Sequence, residues 1–464
     1  MDVIKLWNTK TRGYEKFIPL REGEVSMYSC GPTVYDVTHI GHMRRYIGDD
    51  VLKRTLTYFG YQVNHVMNIT DVGHLSDDGD EGEDKMEKGA LKYGKTVWEI
   101  AQFYTEYFEK TMKALDVLPP THFIKATDHI DEMIAFIKNL EEKGFTYETP
   151  QAIYFDTTKF KEYGALSGQK IEDKKQAVRE DVVVDKNKKH PSDFVLWFKR
   201  VGKFAHHTMH WQSPWGDGFP GWHIECSAMS VEYLGETIDI HTGGVDHIPV
   251  HHENEIAQSE CATGHEFVHF WIHHNFLQVE GEKMAKSKGN YYTIDNIIEK
   301  GINPLVLRFL FLQAHYRKAM NFTFESLKGA ENAYDRLIDI FSNLKESEVK
   351  PDFDYIGRFK RALGDDLDTP GTIALMWELL HDMRLDSEIK RVTILEFDKV
   401  LGLGLDKIKK DIPPKEILDL LEKRQLARNS KNWQESDEIR HQIALFGWEV
   451  LDSKDDQKVR RLRP

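Results

Sequence analysis

Cysteine is scarce in this chain, with only Cys30, Cys226 and Cys261 among 464 residues. That scarcity excludes a scaffold held together by disulfides, which small secreted domains carry at high density. Runs of ~18 consecutive apolar residues are missing, and so is an apolar signal-peptide core near the first residue, so neither a membrane span nor a leader is expected. Positive charge is also short: 62 Lys and Arg against 76 Asp and Glu give a formal net charge of −14. Such a balance argues against indiscriminate coating of nucleic acid, yet leaves room for a local basic surface that grips one specific RNA. What the chain does have is a hydrophobic content of 40%, enough for real cores. Its length suits about three domains at roughly 150 residues each, and a cytosolic location is expected.

The first segment reads as strand, turn, helix, strand. Val25, Met27 and Tyr28 form a short extended run that stops at Cys30-Gly31-Pro32. Ile47, Val51, Leu52, Thr55 and Tyr58 then recur at helical spacing between about Met43 and Phe59, with Gly60 as the stop, and Val63 to Ile69 is strand-like. A unit of this kind predicts a parallel sheet whose ligands bind beyond the carboxyl ends of the strands. A second unit starts near Thr237: Ile238 and Ile240 lead to a break at Gly243-Gly244, a helix from His251 to Cys261, and a strand-like run from Phe267 to Val279. The expected fold is therefore α/β, a Rossmann-like parallel sheet split by an inserted connective domain and followed by an all-helical C-terminal region. Boundaries are placed at residues 1–125, 126–215, 216–290, 291–350 and 351–464. The pattern turns wholly helical after Tyr292, with a break at Pro413-Pro414 and a helical hairpin around Trp433 to Leu445.

Four residues far apart in sequence can together clamp one zinc ion: Cys30, Cys226, His251 and Glu255. Two thiolates, an imidazole and a carboxylate suit a borderline metal, and the last two residues stand at i and i+4 on one helical face. Either cysteine alone would more often be a core residue. His39-Ile40-Gly41-His42 lies where the first long helix opens, so two imidazoles face the positive end of the helix dipole, a place suited to phosphate. Gly41 there leaves room for a ligand to approach the backbone. Taken by itself the tetrapeptide can also be a surface turn. Its companion is the basic loop Lys283-Met284-Ala285-Lys286-Ser287-Lys288, whose ammonium groups can reach a polyphosphate; the alternative is a solvated charge cluster.

Together, the histidine turn and the Lys283-Met284-Ala285-Lys286-Ser287 loop resemble the paired signature of class I aminoacyl-tRNA synthetases, and the zinc set resembles the cysteinyl-tRNA synthetase family. Cys30-Gly31-Pro32-Thr33-Val34-Tyr35, Asn68-Ile69-Thr70-Asp71, Gly221-Trp222-His223-Ile224-Glu225-Cys226 and His251-His252-Glu253-Asn254-Glu255 extend the match. The resemblance implies activation of L-cysteine by Mg2+-bound ATP to cysteinyl-adenylate, then transfer to the terminal adenosine of tRNA(Cys). It implies His39, His42, Lys283 and Lys286 as catalytic groups on the phosphates. Gly41, Gly243, Gly244 and Asp246 would lie near the nucleotide, and Gly31, Thr70 and Trp222 near the amino acid. One Zn2+ would recognise the thiol, with Glu255 as its labile ligand, in a monomer without membrane partners. Zinc affinity for a thiolate also removes the need for proofreading, because shape alone separates such similar side chains by only ~1 to 3 kcal/mol.

Two rival readings, one of them an enzyme, share parts of this pattern. A cysteine ligase of mycothiol synthesis resembles the same catalytic half but lacks a full anticodon domain, and a non-catalytic zinc- or tRNA-binding paralogue would not require His39, His42, Lys283 and Lys286. Here Asn321-Phe322-Thr323, Asp365 to Pro370 and Arg428 to Arg440 resemble the synthetase's C-terminal region, and Lys458, Arg460, Arg461 and Arg463 can meet anticodon phosphates. Gly89 to Thr96 satisfies the G-x-x-x-x-G-K-[ST] expression, but a charged segment rather than a buried strand precedes it, so no phosphate site is expected there. The chain departs from the family at Val72-Gly73-His74-Leu75, at Ala285 and at Val459, where the family carries tryptophan.

Overall fold

Val25, Met27, Val66, Ile240 and Ile272 are all buried, as expected of parallel strands covered on both faces. They belong to β1 (Glu24–Ser29), β2 (Gln62–Ile69), β4 (Ile238–Gly244) and β5 (Val268–His274), which with β3 (His122–Lys125) form one sheet. The order is β5-β4-β1-β2-β3 and every neighbouring pair is parallel. This is the doubly wound order, in which the chain reverses direction across the sheet between β1 and β4 and leaves a crevice at their carboxyl ends. The computed structural model describes residues 3–73, 84–169, 187–284, 289–408, 413–452 and 457–461.

Helix α1 (Ile40–Tyr58) makes the crossover from β1 to β2 and buries Ile47, Val51, Leu52 and Leu56. It starts earlier than its apolar period suggests because His39 caps it, accepting from the backbone N–H groups of Gly41 and His42 at 3.1 and 3.2 Å. Between β3 and β4 comes the insertion, with the helix Ile130–Glu142 and an antiparallel sheet of Thr146–Glu148, Ala152–Phe155, Phe194–Lys199 and Gly218–Pro220. The last of these strands runs straight into α2 (Trp222–Leu234). Then α3 (His251–Thr263) links β4 to β5 and packs against α2.

The run from Phe267 to Val279 is not one strand. It breaks at Asn275-Phe276, whose carbonyls accept from the Arg44 guanidinium at 2.6 and 3.0 Å, and Leu277–Val279 joins a separate sheet with Glu282–Lys283 and Met320–Phe322. Beyond Tyr292 the chain is mostly helical, from Ile294–Glu299 to Trp433–Leu445. Two short extended segments interrupt this: Met320–Phe322, and a closing hairpin of Trp448–Asp452 with Gln457–Arg461. The hairpin forms because Trp448 and Val450 complete a small core with Ile417, Ile439 and Ile443. Gly89 lies inside the helix Lys85–Tyr93, Gly94 is that helix's left-handed C-cap, and Thr96 begins Val97–Ala114 with a capping box.

Candidate active site and metal centre

A cavity of about 510 Å³ opens at the crevice between β1 and β4. Its floor is formed by Cys30, one residue past β1, by Cys226 on α2 and by His251 on α3. Glu255, one turn after His251, lies beneath them and is fully buried. The ligand atoms of these four residues all lie within 4.8 Å of one another. His251 Nε2 is 2.8 Å from Glu255 Oε1, and Cys30 Sγ is 3.9 Å from the same oxygen. A tetrahedral zinc site with bonds of ~2.0–2.3 Å needs ligand separations of this order, so the donor set fits that ion.

The surroundings orient these ligands. His251 Nδ1 is 2.9 Å from His223 Nδ1, which leaves Nε2 toward Glu255, while His241 Nε2 lies 2.7 Å from Glu255 Oε2. Such outer contacts set tautomer and direction at metal sites. Burial disfavours charge throughout, but His241 and His251 hold Glu255 down at about 2, and Glu255 and Cys30 carry His251 up to about 10. Burial raises Cys226 well above the thiol range, and the neighbouring Cys30 adds to this. Against its own burial, hydrogen bonding with Cys226 and the charge of His252 bring Cys30 well down, so Cys30 is the first thiol of the pair to ionise. A second group, Cys30, His241, His252 and Glu255, is equally close-set. Only the first group places Cys226 and His251 on the cavity wall, where a substrate would reach an ion held by them.

At the mouth, His39 and His42 stack with centroids 3.5 Å apart. The His39 ring occupies the first N–H groups of α1, so those donors are already satisfied by the side chain. A Cβ on Gly41 would lie 2.9 Å from that ring and 3.6 Å from Met284. His42 is open to the cleft and enclosed by protein elsewhere; burial first, then the charges of His39 and Arg45, keep it well below the usual imidazole range and neutral. Lys283 stands in the short strand Glu282–Lys283, and Met284 and Tyr291, on either side of the basic loop, both line the cavity. Lys286 lies outside the described residues.

Of the residues expected near an amino acid, Gly31, Thr70 and Trp222 all line the cavity, with Trp222 stacked on His251 at 4.2 Å. Gly31 has no room for a side chain, since a Cβ would stand 1.4 Å from the carbonyl oxygen of Asn68. Gly244 and Asp246 reach the cavity from the end of β4; Gly243 is packed behind them, where a Cβ would meet His252 and His247. Glu253 does not face the metal set. It accepts from the backbone N–H groups of Gly164 and Ser167 at 2.9 and 2.6 Å and ties the insertion to α3.

His223, His252, Asn68 and Glu225 stand in motifs quoted above but received no role from the sequence, and His241 was not singled out at all. Nine of the 22 histidines fall from His223 to His274, a density that is the signal available for His241. In the C-terminal hairpin, Val459 pairs with Val450 and packs on the small core, and Lys458, Arg460 and Arg461 belong to the strand Gln457–Arg461. Arg463 and the segment His74-Leu75 lie outside the described residues, as does Ala285.

Residues 16–332 match the family described as tRNA synthetases class I (C) catalytic domain. The chain is 43% identical to cysteine–tRNA ligase 1 of Burkholderia lata over 98% of its length and 96% of the relative's. It is likewise 43% identical to cysteine–tRNA ligase of Treponema denticola, over 96% of both chains. Among solved structures, a LeuRS–tRNA–LeuAMS ternary complex from Agrobacterium radiobacter K84 shares the fold at a TM-score of 0.63 and 10% identity, covering 84% of this chain and 86% of that one. Methionyl-tRNA synthetase of Mycobacterium tuberculosis in complex with methionyl-adenylate gives 0.57 at 15% identity, covering 83% and 93%. Sequence match over nearly the whole length and fold agree: this chain belongs to the cysteine–tRNA ligase family of class I aminoacyl-tRNA synthetases.

Proposed function

We propose that the chain activates L-cysteine with ATP to cysteinyl-adenylate and transfers the cysteinyl group to the 3′-terminal adenosine of tRNA(Cys). The observation that carries this reading is the convergence of Cys30, Cys226, His251 and Glu255 on the floor of the cavity whose mouth holds His39 and His42. A zinc ion held by those four residues, with Glu255 the most easily displaced, would supply preference for a thiolate over an alcohol. Trp222 walls the amino-acid end, and Thr70 faces the substrate ammonium. At the other end His39 and His42, with Lys283 and Lys286 from the basic loop, stabilise charge on the phosphates of Mg2+-bound ATP as pyrophosphate departs. Gly244 and Asp246 meet the nucleoside.

In this reading, residues 1–125 and 216–290 are the catalytic halves, 126–215 the connective insertion, 291–350 the stem-contact region and 351–464 the anticodon-binding domain of a cytoplasmic monomer. Matching relatives that extend through the helical C-terminal region support a tRNA acceptor over an amino-sugar acceptor. The test is ATP–pyrophosphate exchange by the purified protein. Exchange that depends on cysteine, and aminoacylation when tRNA(Cys) is added, are expected; absence of exchange would reduce the chain to a binding protein.

A further inference from the structure

The cavity wall contains a line of hydrogen bonds whose direction can be worked out group by group. Gly31 N–H can only donate, and it is 2.6 Å from Asn68 Oδ1, so that atom is the amide oxygen. Asn68 Nδ2 therefore points the other way and donates to Thr70 Oγ1 at 3.1 Å. With one lone pair taken, the Thr70 hydroxyl donates its proton to Glu225 Oε2 at 2.8 Å; burial lifts Glu225 to about 8, and Oε2 accepts this proton both in the ionised group and in one protonated on Oε1. One lone pair of Oγ1 remains on a residue that lines the cavity. Asn68, Thr70 and Glu225 are each 1% exposed.

We propose that Glu225 is a positioning residue that fixes the Thr70 proton and so makes this hydroxyl an obligate acceptor for the ammonium group of the substrate. The inference rests on the reading that the cavity takes an amino acid. A substrate ammonium has three donors and no acceptor, the complement of a hydroxyl whose own donor is committed elsewhere. Burying a carboxylate that forms no ion pair with a Lys or Arg among the described residues is costly. Among the described residues its one hydrogen bond goes to Thr70, and Oε1 meets no donor. Such a group stays in place for what it orients.

The test uses the full-length zinc-loaded protein and pyrophosphate exchange, with 3-mercaptopropionate, which has the thiol and carboxylate of cysteine but no amine, as a competitive inhibitor. In Glu225→Met, KM for cysteine is expected to rise by about tenfold or more, the scale of one charge-assisted hydrogen bond. KM for ATP, zinc content, selectivity against serine and the inhibition constant of 3-mercaptopropionate stay near wild type. Glu225→Gln keeps an acceptor oxygen and is expected to restore most of the cysteine affinity. If Glu225→Met fails to fold, Glu225→Asp draws the carboxylate back by one methylene and should show the same amine-specific loss. An unchanged ratio of cysteine to 3-mercaptopropionate affinity in a folded, zinc-loaded variant overturns the proposal, and so does a Gln variant as impaired as the Met variant. Wild-type protein with no cysteine-dependent exchange would instead overturn the functional reading beneath it.

Discussion

Arg308 and Asp50 form an ion pair with no exposed surface, Nη2 to Oδ2 at 2.6 Å, joining the helix Pro304–Leu312 to α1. The rest of the guanidinium is spent on carbonyls: Leu401 at 2.6 Å, Leu115 at 3.1 Å and Asp116 at 3.2 Å. Asp50 is shared with Arg54 at 2.8 Å and with the backbone N–H of Leu118 at 2.9 Å. The helical region is thus docked onto the helix that carries the histidine turn.

Truncating one member of this buried pair strands the other groups, so Arg308→Met is expected to cost about 3–5 kcal/mol. The check is the shift of the urea unfolding midpoint. A loss below ~1 kcal/mol would mean that water or neighbouring groups replace the guanidinium.

His39 caps α1 and, in the proposed function, acts on the phosphates, two roles that substitution can separate. Asparagine is a good N-cap, so His39→Asn should keep stability within ~0.5 kcal/mol while lowering kcat of pyrophosphate exchange about 10²- to 10³-fold. His39→Ala should lose the same activity and in addition ~1 kcal/mol of stability. Equal exchange rates in His39→Asn and wild type would remove the imidazole from the chemistry.

Asp84 and His207 form a buried contact of 2.8 Å that pins the insertion to the start of the helix Lys85–Tyr93. Burial alone would lower His207, but the hydrogen bond and charge of Asp84 outweigh it and raise the imidazole above its ordinary 6.5. A raised folded-state value means stability that is complete below 6.5 and is lost as pH climbs through the folded value. The stability gap between wild type and His207→Gln is therefore expected to be larger at pH 5.5 than at pH 8 by thermal unfolding. A gap that widens with pH would contradict the sign.

Cys226→Ser removes one thiolate from the floor of the cavity. Zinc occupancy and selectivity for cysteine over serine should fall together, measured by metal analysis and by exchange with each amino acid. Full occupancy with unaltered selectivity would separate the metal from recognition.

Much of the site was legible in the sequence because one short segment states its own geometry: His251 and Glu255 share a helical face at i and i+4, whatever the rest of the chain does. Cys30 and Cys226 needed more, since only the sheet order and the packing of α2 on α3 bring them to that face. Asn68 and Glu225 are single polar residues inside apolar runs and follow no period, so their partnership through Thr70 exists only in three dimensions. The strand break at Asn275 was hidden for a similar reason: its cause is Arg44, more than two hundred residues earlier. The terminal hairpin escaped because five-residue strands after a long helical stretch carry too little alternation to stand out.

The central claim is that an ion held by Cys30, Cys226, His251 and Glu255 reads the substrate's sulfur. Zinc-edge X-ray absorption of the purified protein tests it most directly. Two sulfur neighbours, from Cys30 and Cys226, are expected without substrate. Adding L-cysteine should bring a third, and adding L-serine should change nothing. A sulfur count that stays at two with saturating cysteine would contradict the account.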